Sequence, residues 1–302
     1  MDLSCPANLI GIPDLSSFAP NLEFLYLDGC VSLVEISSLQ NLSKLPELDL
    51  AQCNKMKDCP EIPCNISILT LDETGIEQLP SSIKHLSQLV ELYLYGVINS
   101  YESKLVEEIV NDVLEKFSYM PKNDDSYDRN LIGIESRVEK VEWEPKMLKA
   151  YCFMRLGAPL GNLKLMDLSY SYNLIGIPDL SSIAPNLEFL YLKGCSSLVE
   201  IPSLQNLTKL TELDLSDCHE VKECPEIPRN IKVLTLYYTG IERLPSSIKH
   251  LSQLVKLSLN RCDKLVTLPS SIGNLKRLEG LHLGQFSRLV TIPKQHRRVE
   301  MS

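Results

Sequence analysis

One pattern recurs along this chain and leaves few ways to fold it. From Leu187, the segment Leu187-Glu-Phe-Leu190-Tyr-Leu192-Lys-Gly-Cys195-Ser-Ser-Leu198-Val-Glu-Ile201-Pro202 reads LxxLxLxxCxxLxxIP. Equivalent starts stand at Leu163, Leu187, Leu210, Ile231, Leu254 and Leu278, and earlier at Leu22, Leu45, Ile66 and Leu89, with a partial unit from Met1 to Pro13. The spacing runs from 21 to 24 residues. In the LxL step the leucines point inward and their neighbours outward, as a short strand requires, and the later apolar positions turn the chain back over the same core. A coil this short cannot cover its own apolar face, so successive coils must stack.

A unit of this length and pattern is similar to the leucine-rich repeat, whose period runs from roughly 20 to 29 residues. The expected fold class is α/β: a leucine-rich-repeat solenoid, a curved horseshoe of short parallel strands on the concave side with loops and 3₁₀ or helical turns on the convex side, interrupted by a helical insertion. The expected division is residues 1–95 as a first array, 96–162 as a helical linker, 163–293 as a second array and 294–302 as a basic tail. Neither end shows a polar capping coil, so the terminal coils are expected to fray or the chain to self-associate.

Residues 1–95 align without a gap on 166–260, and about three-quarters of the paired positions are identical. Several coils were therefore duplicated together. Differences concentrate on outward strand positions: 28, 51, 68, 72, 91, 93 and 95 changed, whereas 24, 26, 47, 49 and 70 did not. Asp28 faces Lys193 in the alignment, Glu91 faces Lys256, and Asp72 faces Tyr237. Drift at exposed positions and selection at a binding face both produce such a pattern. On the binding reading, the concave face offers Phe24, Tyr26, Asp28, Phe189, Tyr191, Lys193, Glu212, Asp214, Val233, Tyr237, Lys256, Ser258, Asn260 and His282 to a protein partner, since aromatic and long charged side chains on a rigid sheet suit an interface.

The ten cysteines come without a basic-then-apolar leader at Met1–Pro6, which favours reduced thiols in an intracellular, soluble chain. Cys30, Cys53, Cys195, Cys218 and Cys262 follow the strand, where such repeats place a small group beside buried turn backbone, and are read as structural; Cys59 and Cys224 occupy an apolar slot before proline. No CxxC pair occurs, and His85, His219, His250, His282 and His296 lack metal-site spacing, so neither a metal nor a cofactor is expected. A net charge of -9 with scattered Lys and Arg argues against nucleic acid, and no apolar run is long enough to span a membrane.

The runs Glu61-Ile-Pro-Cys-Asn-Ile66 through Thr74-Gly-Ile-Glu-Gln-Leu-Pro-Ser-Ser-Ile83, and Glu226-Ile-Pro-Arg-Asn-Ile231 through Thr239-Gly-Ile-Glu-Arg-Leu-Pro-Ser-Ser-Ile248, closely resemble repeats of plant disease-resistance receptors of the TIR-NB-LRR class. The resemblance implies a cytoplasmic protein, with the nucleus as an additional compartment, that detects a pathogen effector directly or through a guarded host protein. Between the arrays, Asn99–Phe117 has helical spacing with Asn99 and Glu102 as a capping box, and Leu131–Glu142 reads as a second short helix. Ser103–Glu142 resembles the family's link between TIR and nucleotide-binding domains, with an irregular bridge at Trp143–Gly161. The family's nucleotide site needs GxxxxGK[ST], yet no Gly-Lys dipeptide occurs. His85 and His250 recur with the coil and are read as surface residues rather than acid-base groups. The chain is expected not to be an enzyme. Three readings stay open: a protein-recognition module of an immune receptor, a fragment of a receptor whose nucleotide-switch or NAD-cleaving parts are encoded elsewhere, or an inactive or regulatory remnant.

Overall fold

Alternation within each coil produces one three-residue strand. In Phe24-Leu25-Tyr26 the central leucine is buried and its neighbours are not, and the same inside-out order holds in Glu47–Asp49, Phe189–Tyr191 and Glu212–Asp214. The computed structural model describes residues 1–5, 8–17, 19–76, 79–96 and 160–288. The expected linker helices and the tail at 294–302 lie outside the described residues. Strands β1 (Gly11–Ile12), β2 (Phe24–Tyr26), β3 (Glu35–Ile36), β4 (Glu47–Asp49), β5 (Ile68–Thr70), β6 (Glu91–Tyr93), β7 (Leu165–Asp167), β8 (Phe189–Tyr191), β9 (Glu212–Asp214), β10 (Val233–Thr235), β11 (Lys256–Ser258) and β12 (Gly280–His282) follow in chain order.

Ten of these form a single parallel sheet in the order β2-β4-β5-β6-β7-β8-β9-β10-β11-β12, while β1 and β3 pair on the other limb of the coils. Register is one-to-one at every step, so Leu25, Leu48, Leu69, Leu92, Met166, Leu190, Leu213, Leu234, Leu257 and Leu281 line up as one inward row. Small rotations between stacked coils make such a strand face concave.

The two duplicated blocks belong to that one sheet. β6 pairs with β7, Glu91 opposite Leu165 and Tyr93 opposite Asp167, and the Leu94 N–H donates to the Asp167 carbonyl at 2.8 Å. The second block also begins earlier than the expected boundary at 163: Leu160 is buried and its N–H donates to the Ile183 carbonyl at 2.6 Å. Leu160 stands three residues before Leu163, as Leu42 stands before Leu45 and Leu86 before Leu89, and like them it is buried.

Two features turn the chain out of each strand. The residue three places after the strand is left-handed in coil after coil: Gly29, Gln52, Glu73, Gly96, Tyr170, Gly194, Asp217, Tyr238, Arg261 and Gln285 all have φ between 52° and 72°. Next stands the small residue of the LxxC step. The thiols of Cys53, Cys195, Cys218 and Cys262 donate to the carbonyls of Leu27, Leu168, Leu192 and Leu236, one coil back, at 2.9–3.3 Å. Cys30 does the same to Leu3 at 3.3 Å. The Leu27, Leu168 and Leu192 carbonyls also accept the backbone N–H three residues on in their own coil, and the Leu236 carbonyl accepts the Thr239 hydroxyl, so each thiol is a second donor that ties the next coil to the same acceptor. On the opposite limb each LPSSI motif makes a 3₁₀ turn, at Ser81–His85, Ser246–His250 and Ser270–Asn274, after a proline whose φ near −66° suits the entry.

Two outcomes follow from this packing. Leu215 is fully buried in a central coil; Leu215→Ala should cost about 3 kcal/mol of stability in urea denaturation, and Leu215→Asp should unfold the surrounding coils, because a carboxylate would be buried without a partner. An unchanged melting curve for Leu215→Asp would overturn the register. Burial pushes the thiols of Cys53 and Cys195 up to about 12, so in the folded chain a thiol reagent at pH 8 should label the exposed Cys5 and Cys64 and leave these two until denaturant is added.

Candidate recognition surface

Three outward columns cross the strand face. The first holds Phe24, Glu47, Ile68, Glu91, Leu165, Phe189, Glu212, Val233, Lys256 and Gly280, and the second holds Tyr26, Asp49, Thr70, Tyr93, Asp167, Tyr191, Asp214, Thr235, Ser258 and His282. The third, two residues beyond the strand centre's neighbour, includes Asp28, Asp72, Tyr95, Lys193, Tyr237 and Asn260. The strand face therefore brings together all of the residues that the sequence selects for a partner. Ser258, however, is only 7% exposed, and the Asn260 side-chain oxygen accepts the Gly284 N–H at 2.6 Å. Ser258 offers almost no surface, and Asn260 also stitches the next coil.

Hydrogen bonds hold several of the acids in place. Asp49, Asp167 and Asp214 each accept the backbone N–H two residues on, from Ala51, Ser169 and Ser216, at 2.8–2.9 Å. Asp72 accepts the Tyr95 N–H at 2.8 Å. The Tyr93 hydroxyl donates to Glu91 at 2.8 Å. Burial raises the Asp49 carboxyl, helped by Asp28 and Glu47, and raises Asp72 up to about 6, helped by Asp167, Asp49 and Glu73 against the opposing Tyr95 N–H. Tyr93 and Tyr191 are each pushed up to about 12, first by burial and then by their neighbouring glutamates.

A second group lies on the rim where the left-handed residues project. Tyr95 and Tyr170 rings are 4.9 Å apart, Tyr170 meets Tyr172 edge-on at 6.2 Å, and the Lys193 ammonium lies 5.6 Å from the Tyr170 ring. Three coils further on, the Arg261 guanidinium lies 4.4 Å from the Tyr238 ring, which also meets His219 at 4.5 Å and Tyr237 at 6.3 Å. Sequence reasoning selects Lys193 and Tyr237 but misses Tyr170, Tyr238, Arg261 and His219, because the strand alternation ends before them. A signal exists for Tyr170, Tyr238 and Arg261: Gly29, Gly96 and Gly194 occupy the same step, and a recurring glycine marks a positive-φ site at which a larger residue is held projecting outward. The Tyr95–Tyr170 contact has no local signal, since it depends on β6 and β7 pairing across the intervening segment.

His85 and His250 are exposed on the 3₁₀ turns away from the strand face. Among the described residues no group of three or more His, Cys, Asp or Glu side chains gathers to hold a metal ion, and no helix is long and apolar enough to cross a membrane.

The raised Asp72 gives a signed prediction. Its carboxyl ionises near 3.8 when unfolded and near 6 when folded, so the folded state is favoured below the first value and loses stability as pH rises through the second. Asp72→Asn keeps an oxygen for the Tyr95 N–H and removes the charge. Thermal melts should therefore show the variant more stable than the parent at pH 7.5, with the advantage absent at pH 3.5.

A family model described as R13L1/DRL21 LRRs matches residues 215–286. Among curated proteins of Arabidopsis thaliana, the chain is 31% identical over 290 residues to Disease resistance protein RPS6, covering 88% of this chain and 21% of that protein. It is 33% identical to SUPPRESSOR OF npr1-1, CONSTITUTIVE 1, with 88% and 20% covered, and 41% identical over 261 residues to Disease resistance protein RPS4B, with 86% and 19% covered. The chain thus spans about a fifth of the length of these relatives. Among solved structures, the Leptospira interrogans LRR protein LIC12759 superposes with a TM-score of 0.54 at 19% identity, over 97% of this chain and 68% of that one. The leucine-rich repeat domain of the type III effector XopL gives 0.51 at 20% identity, over 90% and 72%. At that identity the structures speak for the fold alone.

Proposed function

From a chain that belongs to the leucine-rich-repeat proteins and is related to plant disease resistance proteins, we infer a protein-recognition module of an intracellular immune receptor, which acts by binding an effector or a guarded host protein through its strand face. One observation carries this reading: outward aromatic and charged side chains stand in register on an uninterrupted ten-stranded sheet. Such a face is held rigid by the coils beneath it, so a partner meets side chains whose ordering cost was met at folding. Phe24, 42% exposed, stacks on Tyr26 at 5.2 Å, and aromatic anchors of this kind supply much of the energy of protein interfaces. The resemblance to TIR-NB-LRR receptors supports reading the module as part of a longer signalling protein, with the nucleotide switch or TIR activity supplied by other domains and with the cytoplasm, and also the nucleus, as its compartment.

The test uses three outward aromatic residues, Phe24→Ala, Phe189→Ala and Tyr191→Ala, combined in the full chain expressed in plant cells. The melting temperature should stay within a few degrees, because none of the three is in the buried core. Proteins captured by proximity labelling with the parent chain should be depleted at least about tenfold with the variant, since the lost aromatic anchors cost on the order of 2 kcal/mol or more. A folded variant that retains the full set of captured proteins would sink the strand-face reading. Reading the native transcript on either side of this coding region decides separately whether a P-loop or TIR segment is joined to it.

A further inference from the structure

Within the first two outward columns, one four-residue arrangement occurs twice. On β2 and β4, Phe24 pairs in register with Glu47 and Tyr26 with Asp49; on β8 and β9, Phe189 pairs with Glu212 and Tyr191 with Asp214. These four positions are identical in the two duplicated blocks, whereas most outward positions around them differ. The arrangement is therefore kept where its surroundings have changed. Each unit sets two aromatic rings beside two carboxylates. The Tyr26 hydroxyl faces Glu47, which holds its proton above the usual tyrosine range, and Glu212 acts on Tyr191 in the same way after burial. In both units the aspartate Oδ1 accepts a backbone N–H, at 2.9 Å from Ala51 and 2.8 Å from Ser216, so the carboxylates are fixed.

The spacing of the two units is set by the sheet. β2 and β8 are separated by five parallel steps, which at about 4.8 Å per strand is about 24 Å. Between them lies a third tyrosine–aspartate pair, Tyr93 opposite Asp167. From β2 through β10 the first two outward columns contain no Lys or Arg; the first cation in them is Lys256 on β11. The field of these carboxylates is thus uncompensated within the columns. A carboxylate beside an aromatic face suits a guanidinium, which donates two parallel hydrogen bonds to the carboxylate and stacks on the ring, better than it suits an ammonium.

We propose that the strand face carries two acid–aromatic subsites built from the same four residue types, Phe24/Tyr26/Glu47/Asp49 flanked by Asp28 and Phe189/Tyr191/Glu212/Asp214 flanked by Lys193, that together bind one extended arginine-rich segment of a partner protein with its arginine clusters about 24 Å apart. This rests on the reading of the strand face as a recognition surface and names the chemistry of its partner. Two linked clusters that reach both subsites bind far more tightly than one, because the second contact is made at high effective concentration.

The test measures fluorescence anisotropy of labelled peptides on the full chain. Two Arg-Arg pairs separated by a rigid proline spacer of about eight residues span the required distance at about 3.1 Å per residue; a four-proline spacer and a single Arg-Arg pair are the comparisons. The long-spacer peptide should bind at least about 30-fold more tightly than either, and its affinity should fall with added salt. E47Q/D49N and E212Q/D214N keep side-chain length and the backbone hydrogen bonds, and each alone should reduce the long-spacer peptide to the affinity of the single pair. Equal affinity for both spacers, or a loss confined to one double variant, would overturn the two-subsite proposal. If no arginine peptide binds while the Phe24/Phe189/Tyr191 variant still loses its cellular partners, the recognition reading stands and this partner class falls. If peptide binding keeps its spacing dependence while that variant loses none, the subsites stand and the cellular role falls.

Discussion

Every other property of this protein depends on the inability of one coil to bury its own leucines. A three-residue strand and its turns enclose a few apolar side chains on one side only, so Leu25 and Leu27 are shielded by Leu48 and Leu50 of the next coil, and those by Leu69 and Leu71 of the one after. The backbone follows the same rule. Leu27 N–H donates to Asp49 C=O at 2.9 Å and Leu50 N–H to Thr70 C=O at 2.9 Å, so the sheet and the core are closed by the same neighbour. Stability is then close to a sum of coil and interface terms. The outward columns are straight because the inward leucines are, and the candidate site inherits its regularity from the core.

That constraint also explains how a long segment can sit between the two blocks without dividing the sheet. What β6 requires is a strand of the right pattern beside it, and β7 supplies one whether the connection is twenty residues or the much longer stretch from 97 to 159. Loop closure grows costly only slowly with length. The Gly96 N–H reaches the Ser169 carbonyl at 2.9 Å and Lys164 N–H reaches Val90 C=O at 2.8 Å, the same pair of bonds that joins coils with short connections.

The turn after each strand couples fold to surface. A left-handed residue reverses the chain, and a cysteine or threonine beyond it occupies the space under the turn, with Cys218 and Cys262 bonded to leucine carbonyls one coil back and Thr239 to its own Leu236. Glycine is the least strained choice at the left-handed step, as at Gly29 and Gly194. Tyr170, Tyr238 and Arg261 stand there instead, at a backbone cost that the stacked coil bears, and they are the residues that build the aromatic and cationic rim.

The period of the leucines determined, by sequence alone, that the chain is a stacked solenoid, which residues are inside, and that Phe24, Tyr191, Glu212 and their like share one face, because an alternating strand leaves its side chains only two directions. The buried place of Cys30, Cys195 and their equivalents was legible for the same reason: it repeats. Tertiary structure alone decided what lies between coils that are distant in sequence. It joined the two blocks through β6 and β7, brought Tyr95 to within 4.9 Å of Tyr170, buried Ser258 despite its outward register, and set the two acid–aromatic units five strands apart. Those outcomes depend on which strand becomes the neighbour of which, and pairing across an intervening segment leaves no local trace in either strand.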